Sequence, residues 1–326
     1  MVSRPISPRL RRTLAAGLVA VAVAAPLAGM AGPDAVPAPD PVAQAPLAVG
    51  GVGALDARYA ASRAGVLAAE RTADAYGDRQ RAAALRTMAD PARHFLSFDG
   101  RDGGRTVEVF GDLAHARRVA VLVPGSDTNL DSYERLRAGA VALEQQAGGD
   151  AAHTAVVAWL GYPTPATVSP EVLTDGLADR AAPQLDAFVG QLHQLLPQAR
   201  TSLVCHSYGS VVCARAAGGL AAADIVLYGS PGVGGDAGTV AGLHTRAAVW
   251  AGRGAKDWIA DVPHVRVPLL FTTVGLGADP TAPGFGAHLF PAGDADHSTY
   301  LQPGSLSLRS IAAIVTGAAD AADAAT

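Results

Sequence analysis

Val204-Cys205-His206-Ser207-Tyr208-Gly209-Ser210 stands between an apolar run and a stretch of helical pattern. A small residue, any residue, Ser, any residue, Gly in that setting has the shape of a nucleophile elbow, a sharp strand-to-helix turn. Such a turn lifts the serine oxygen above a sheet edge and aims the next helix N-terminus at the reaction centre. Cys205 occupies the position where glycine is usual. Five letters recur by chance, so their meaning depends on an oxyanion hole, an acid and a base appearing elsewhere in the right order.

Outward from the elbow, apolar runs at 118–123, 155–160, 201–205, 225–228, 247–251 and 267–273 alternate with helical stretches. Runs apolar on both faces are what a helix-covered, mostly parallel sheet requires. Ahead of them, 94–98 and 106–110 alternate in polarity around Asp99-Gly100-Arg101-Asp102-Gly103-Gly104 and read as an antiparallel hairpin. Residues 54–90 are alanine-rich, carry spaced arginines and lack proline up to Pro91, which predicts one or two helices. Asp131 with Glu134 predicts a capped helix to about 146. Leu185, Phe188, Val189, Leu192 and Leu195 recur at helical spacing before the elbow strand, and a last helix is expected over about 306–316. The proline-bearing stretch 161–182 reads as a loop with a short helix, too small for a large lid.

A serine hydroxyl becomes a good nucleophile when a positioned base takes its proton and a carboxylate orients that base. At a nucleophile elbow the partners follow in the order Ser, Asp or Glu, His. The run at 247–251 leads into Gly252-Arg253-Gly254-Ala255-Lys256-Asp257-Trp258. Asp257 therefore lies in the loop where the acid belongs, with a simple helix cap as its bland reading and Asp261 as the next candidate. His297 and His288 follow the expected final strand, and His297, shortly before the last helix, is preferred as base. Two backbone N–H groups are needed for an oxyanion hole. Tyr208 is expected to give one and Ser126, in Val123-Pro124-Gly125-Ser126-Asp127, the other, with Asp127 as the off-by-one alternative. His206 is expected to pack at the elbow; His193, His244 and His264 read as ordinary loop or surface residues, and Asp294 and Asp296 as a solvated loop. No spaced cluster for a metal and no glycine-rich phosphate loop is seen, so no cofactor is expected.

Composition bounds the rest. Of 326 residues 49% are apolar and 17% charged, with net charge -4, which fits one large globular domain and gives no basic stripe for nucleic acid. Four arginines before an Ala/Leu/Val stretch at 14–25 and small residues through Gly32 read as a secretory signal peptide over 1–32. A membrane anchor is the rival, but the run is short and interrupted by Pro26. Residues 33–53 read as a Pro/Ala-rich linker, 54–90 as an N-terminal helical segment, 91–317 as the catalytic-type domain and 318–326 as a disordered tail. Cys205 and Cys213 flank the elbow; in an exported chain a disulfide and two buried thiols both fit.

The set Val204–Ser210, Tyr228-Gly229-Ser230-Pro231-Gly232, Asp257-Trp258-Ile259, Val262–Val267, Gly277-Ala278-Asp279-Pro280, Phe285-Gly286-Ala287 and His297-Ser298-Thr299-Tyr300 with Pro303-Gly304-Ser305 resembles the actinobacterial α/β-hydrolase family first listed as a domain of unknown function, DUF1023. The resemblance covers roughly residues 95 to 317. It implies an α/β-hydrolase fold and a Ser207, Asp257, His297 triad, the same residues reached above, and no established substrate. Asp279 and Phe285 match its pattern and are expected to brace the loop carrying His297. The expectation is an exported serine hydrolase, secreted or at the cell envelope, acting on a small-molecule or lipid acyl ester. Amide or peptide cleavage and acyl transfer are its variants. A non-catalytic hydrolase-fold protein binding a cell-envelope partner is the alternative.

Overall fold

The computed structural model describes residues 36–268 and 273–319. The signal peptide expected at 1–32 and most of the expected tail lie outside them. Eight strands form one sheet: β1 (His94–Asp99), β2 (Arg105–Phe110), β3 (Arg118–Val123), β4 (Thr154–Leu160), β5 (Arg200–His206), β6 (Asp224–Tyr228), β7 (Ala248–Gly252) and β10 (His288–Leu289). Their order is β1-β2-β4-β3-β5-β6-β7-β10. β1 pairs antiparallel with β2 and β2 with β4; every later pairing is parallel.

The helices are α1 (Leu55–Tyr76), α2 (Arg79–Met88), α3 (Tyr133–Gln146), α4 (Gly176–Leu195), α5 (Tyr208–Ala216) and α6 (Leu306–Thr316). Alternation along β3 shows why both faces need cover. Val119, Val121 and Val123 join Leu185 and Val189 of α4 and Val211 of α5 in one core. Ala120 and Leu122 join Val66 of α1, Leu85 of α2, Leu136 of α3 and Ile311 of α6 in the other. Parallel strands buried on both faces read as continuous apolar runs, which is why they were visible in the sequence.

Three expectations differ from the structure. The described ends of the run at 267–273 do not join the main sheet: β8 (Val267–Pro268) pairs antiparallel with β9 (Thr273–Val274) in a separate two-stranded sheet, with 269–272 outside the described residues. Pro268 has no N–H to give a ladder, which disfavours a central strand. The last place in the main sheet goes to β10, only two residues long and polar at His288. The helix expected from an Asp131 cap begins at Tyr133 without a side-chain cap, because Asp131 is engaged by Arg81 of α2 through a two-point ion pair (2.6 and 2.8 Å). The segment expected as a linker packs along the body in its described part. The side chain of Leu47 is buried, its N–H donates to Gln191 Oε1, and Gln44 donates to Ser62 Oγ.

Cys205 and Cys213 form a disulfide that ties the end of β5 to α5, so the position usually held by glycine carries a crosslink. Closing a short loop of this kind is worth about 2–3 kcal/mol in the chain-entropy view. The Cys205→Ala/Cys213→Ala double variant is expected to lose about that much stability in urea titrations under oxidising conditions. An unchanged midpoint would show that the crosslink contributes nothing.

Candidate active site

The elbow is strained as the chemistry requires. Ser207 sits at φ 51°, ψ −125° between β5 and α5, a backbone region that L-residues rarely occupy. Its N–H donates to Tyr228 O at the end of β6 (3.0 Å), which holds the turn against the sheet. Gly209 explains the close approach behind it: a Cβ there would lie 2.5 Å from both Val123 O and Pro124 O. Gly125 does the same in front, since its Cβ would fall 2.6 Å from that of Ser207.

Ser207 Oγ lies 2.9 Å from His297 Nε2, and His297 Nδ1 lies 2.9 Å from Asp257 Oδ1. With Asp257 ionised, Nδ1–H donates to the carboxylate and Nε2 accepts from the serine hydroxyl. Asp257 Oδ1 also accepts from Ile259 N–H (2.9 Å), so the residue caps the short helical turn Trp258–Asp261 as well as meeting the histidine. Its second oxygen accepts from Tyr300 O–H (2.6 Å). Burial alone would raise Asp257, but hydrogen bonds from His297, Tyr300 and the Ile259 N–H outweigh it and hold the carboxyl below its usual range. Asp261, the other candidate acid, is exposed. His288 is on β10, its ring 4.8 Å from that of Trp250.

The oxyanion candidates also separate. Asp127 N–H donates to Pro165 O (3.0 Å), which engages the off-by-one alternative. Tyr208 is the first residue of α5, where an N–H has no intrahelical acceptor. The preceding peptide of the other loop is held by Tyr162 O–H, which donates to Pro124 O (2.7 Å). Ser126 and Tyr208 both line the cleft with Ser207 and His297. The side chain of Tyr208 points away and donates to Thr174 O.

Tyr300 and Gly229 stand in the family motifs of the sequence, but sequence reading assigns neither a role. Tyr300 reaches from the base loop to the acid and accepts Gly254 N–H (2.9 Å), joining the loops of acid and base. Burial and the neighbouring Asp257 push its phenol far up, so it stays a donor. Gly229 has φ 56°, and a Cβ there would lie 3.0 Å from Asp257 Oδ2 and 3.4 Å from His297 Cε1. No periodicity marks either residue; both matter because loops far apart in sequence converge. Asp296 is more than a solvated residue, since its carboxylate accepts Ser298 N–H and its own N–H donates to Thr299 Oγ1, closing the turn around His297. Asp279 does not brace that loop. It accepts from Arg253 (2.7 Å), on the loop that leads to Asp257, while Phe285 is buried in the core on the α4 side of the sheet.

His206 packs at the elbow as expected, its ring 4.8 Å from that of His297 and 5.0 Å from that of Tyr228. Its Nε2–H donates to His297 O (2.8 Å). Burial, reinforced by His297, pushes the imidazole down to about 3. The unfolded chain, at the ordinary histidine value, takes up a proton that the native site refuses. Stability is therefore complete above about 6.5 and falls as the pH drops toward 3, by about 1.4 kcal/mol per pH unit from this group. Urea midpoints at neutral and mildly acid pH are expected to show a shallower acid loss in His206→Gln. Parallel curves for the two proteins would rule His206 out as the source.

The cleft in front of Ser207 has a volume of about 1640 Å³ and is walled mainly by apolar side chains. Among the described residues no group of His, Cys, Asp or Glu is placed to hold a metal, and no helix is long and apolar enough to cross a membrane.

Among solved structures, the chain is similar to an a/b serine hydrolase without lid from Xanthomonas campestris, at 18% identity over 70% of this chain and 95% of that one, TM-score 0.44. It is also similar to esterase LipW from Mycobacterium marinum, at 19% identity over 78% and 90%, TM-score 0.39. An uncharacterized protein of Mycobacterium tuberculosis (strain ATCC 25618 / H37Rv) is 32% identical over 262 residues, 69% of this chain and 39% of the relative. The chain thus spans about two fifths of that relative's length. A second uncharacterized protein of the same strain is 32% identical over 177 residues, 48% of this chain and 65% of that one. Residues 99–267 match the family model described as Alpha/beta hydrolase, and the chain belongs to that family.

Proposed function

We propose that the protein is an exported serine hydrolase that cleaves a carboxylic ester through an acyl-enzyme, acting outside the cell or at its envelope. The observation that carries this reading is one unbroken chain of hydrogen bonds. It runs from the strained Ser207 through His297 to a buried Asp257 whose other oxygen is held by Tyr300. A non-catalytic hydrolase-fold binding protein has no use for that arrangement, and strain of this kind persists where the surroundings impose it.

The geometry supports the following steps. His297 Nε2 takes the Ser207 proton as Oγ bonds to the acyl carbon. The carbonyl oxygen, now an oxyanion, is received by the N–H groups of Ser126 and Tyr208. The C–O bond to the alcohol breaks as His297 returns the proton to the leaving oxygen. Water then enters: His297 takes one of its protons, the hydroxyl adds to the acyl carbon, and the bond to Oγ breaks with the proton going back to Ser207. Asp257 keeps the imidazole in the required tautomer throughout.

Labelling of the purified protein with a fluorophosphonate probe tests this directly. Wild type is expected to be labelled and Ser207→Ala and His297→Ala are not. Labelling that survives Ser207→Ala would place the reactive group elsewhere; a well-folded wild type that takes no label would favour the binding-protein reading.

A further inference from the structure

The cleft offers both apolar and polar lining. One wall is built by the loop after Asp257 and the loops it meets: Trp258, Val262, Val265, Val172, Leu173 and Leu276 line it. Trp258 and Val265 are each 51% exposed and Leu173 is 37% exposed, a large apolar surface to leave open to water unless something covers it. The wall is braced, since Gly275 N–H donates to Leu173 O and Gly234 N–H donates to Leu276 O (2.8 Å each). Polar groups also line the cleft: Ser298, Thr299 and Gln302 of the base loop, with Ser132 and Arg135 at the start of α3, beside apolar Leu136 and Leu301.

Direction follows from the chemistry of the proposed function, on which this inference rests. The leaving oxygen must receive its proton from His297 Nε2, so the alcohol portion lies along the base loop and its polar groups. The acyl portion extends the other way. Pockets for drug-sized ligands span about 300–1,000 Å³, and this cleft, at about 1640 Å³, is larger. We propose that the substrate is an amphiphilic ester. An unbranched medium- to long-chain fatty acyl group lies along Trp258, Val265, Leu173 and Leu276, and a small polar alcohol lies against Ser298, Thr299, Gln302 and Arg135. Trp258 stands at the junction, its ring 4.7 Å from that of His297, beside the first methylenes of the chain.

The test is a ladder of acetate, butyrate, octanoate and dodecanoate esters of one chromogenic alcohol, used below micelle formation. The expected result is a rise in kcat/KM of about two- to fourfold per added methylene until the arm is filled. Leu173→Ser/Val265→Ser is expected to flatten that slope. A readout without turnover runs beside it: the affinity of Ser207→Ala for the matching fatty acids, by calorimetry, rises with the same slope. Ser207-dependent hydrolysis with no chain-length dependence in either readout would overturn the acyl arm and leave the serine hydrolase standing. Chain-length-dependent binding by a wild type that takes no fluorophosphonate label would do the reverse, ending the triad reading and keeping the arm. For the polar side, the glycerol ester of octanoate is expected to outrun its hexyl ester; the opposite order would overturn the placement of the alcohol.

Discussion

Ser207→Ala and His297→Ala are each expected to lower kcat for ester hydrolysis by about a millionfold, and the double variant to be no worse than either. The size follows from how the two groups are joined. The hydroxyl at 2.9 Å from Nε2 is a poor nucleophile until that nitrogen takes its proton, and the nitrogen has no function in acyl transfer without the hydroxyl. Removing one therefore forfeits what both supply. The residual rate comes from the oxyanion donors and from substrate placement alone, typically a thousand- to ten-thousandfold above water. Ser207→Ala removes one atom; His297→Ala removes a ring only 14% exposed that packs on His206 and Trp258, so the fold of that variant is checked directly. Single-turnover measurements on the octanoate ester would check the prediction, with circular dichroism to show that the variants are folded. Strict multiplication of the two single losses would mean that the residues act independently, against the reading drawn from their hydrogen bond.

How much of this was legible in the sequence depends on the distance over which each signal acts. The parallel core strands and the elbow could be read because burial on both faces and a strained turn each leave a local mark: Arg118–Val123 falls where the apolar run places it, and Ser207 sits at positive φ. Ser207, Asp257 and His297 were named from chain order and strand-end position, and the structure brings all three within hydrogen-bond reach. What could not be read is what depends on loops meeting. Tyr300 looks like any tyrosine in a turn until the acid loop is seen beside it. Likewise Asp131 matched a helix-cap pattern, but the side chain answers to Arg81, fifty residues earlier, because a charge-assisted two-point contact outweighs a local cap. The run at 267–273 misled for a related reason: apolar content does not say which sheet a strand joins, and only the proline carried a contrary signal.

Asp257→Asn is expected to cost about ten-thousandfold in kcat, with KM little changed and the fold intact. Asparagine is nearly isosteric with aspartate, so the side-chain oxygen can still accept one hydrogen bond. The loss is one of proton bookkeeping. Asp257 in the native protein accepts three hydrogen bonds: from His297 Nδ1, from Ile259 N–H and from Tyr300 O–H. An amide has one accepting oxygen and one donating nitrogen, so two orientations are open to it. If the oxygen stays with His297 and Ile259, the NH2 group faces Tyr300, whose oxygen already accepts Gly254 N–H and whose proton is left without an acceptor. If the amide turns over to satisfy Tyr300, its N–H confronts both Ile259 N–H and His297. The histidine then relieves the clash by moving its proton to Nε2, where it can no longer accept from Ser207. Tyr300 thus biases the variant toward the inactive tautomer. This gives a second expectation: Asp257→Asn/Tyr300→Phe recovers part of the activity, because the orientation that keeps Nε2 free no longer opposes a phenol. The pH–rate profile separates this from simple unfolding. The variant is expected to regain rate at alkaline pH, where hydroxide takes the Ser207 proton that Nε2 can no longer accept. A uniform loss at every pH, with Tyr300→Phe giving no recovery, would mean that Asp257 holds the loop in place and does not set the tautomer.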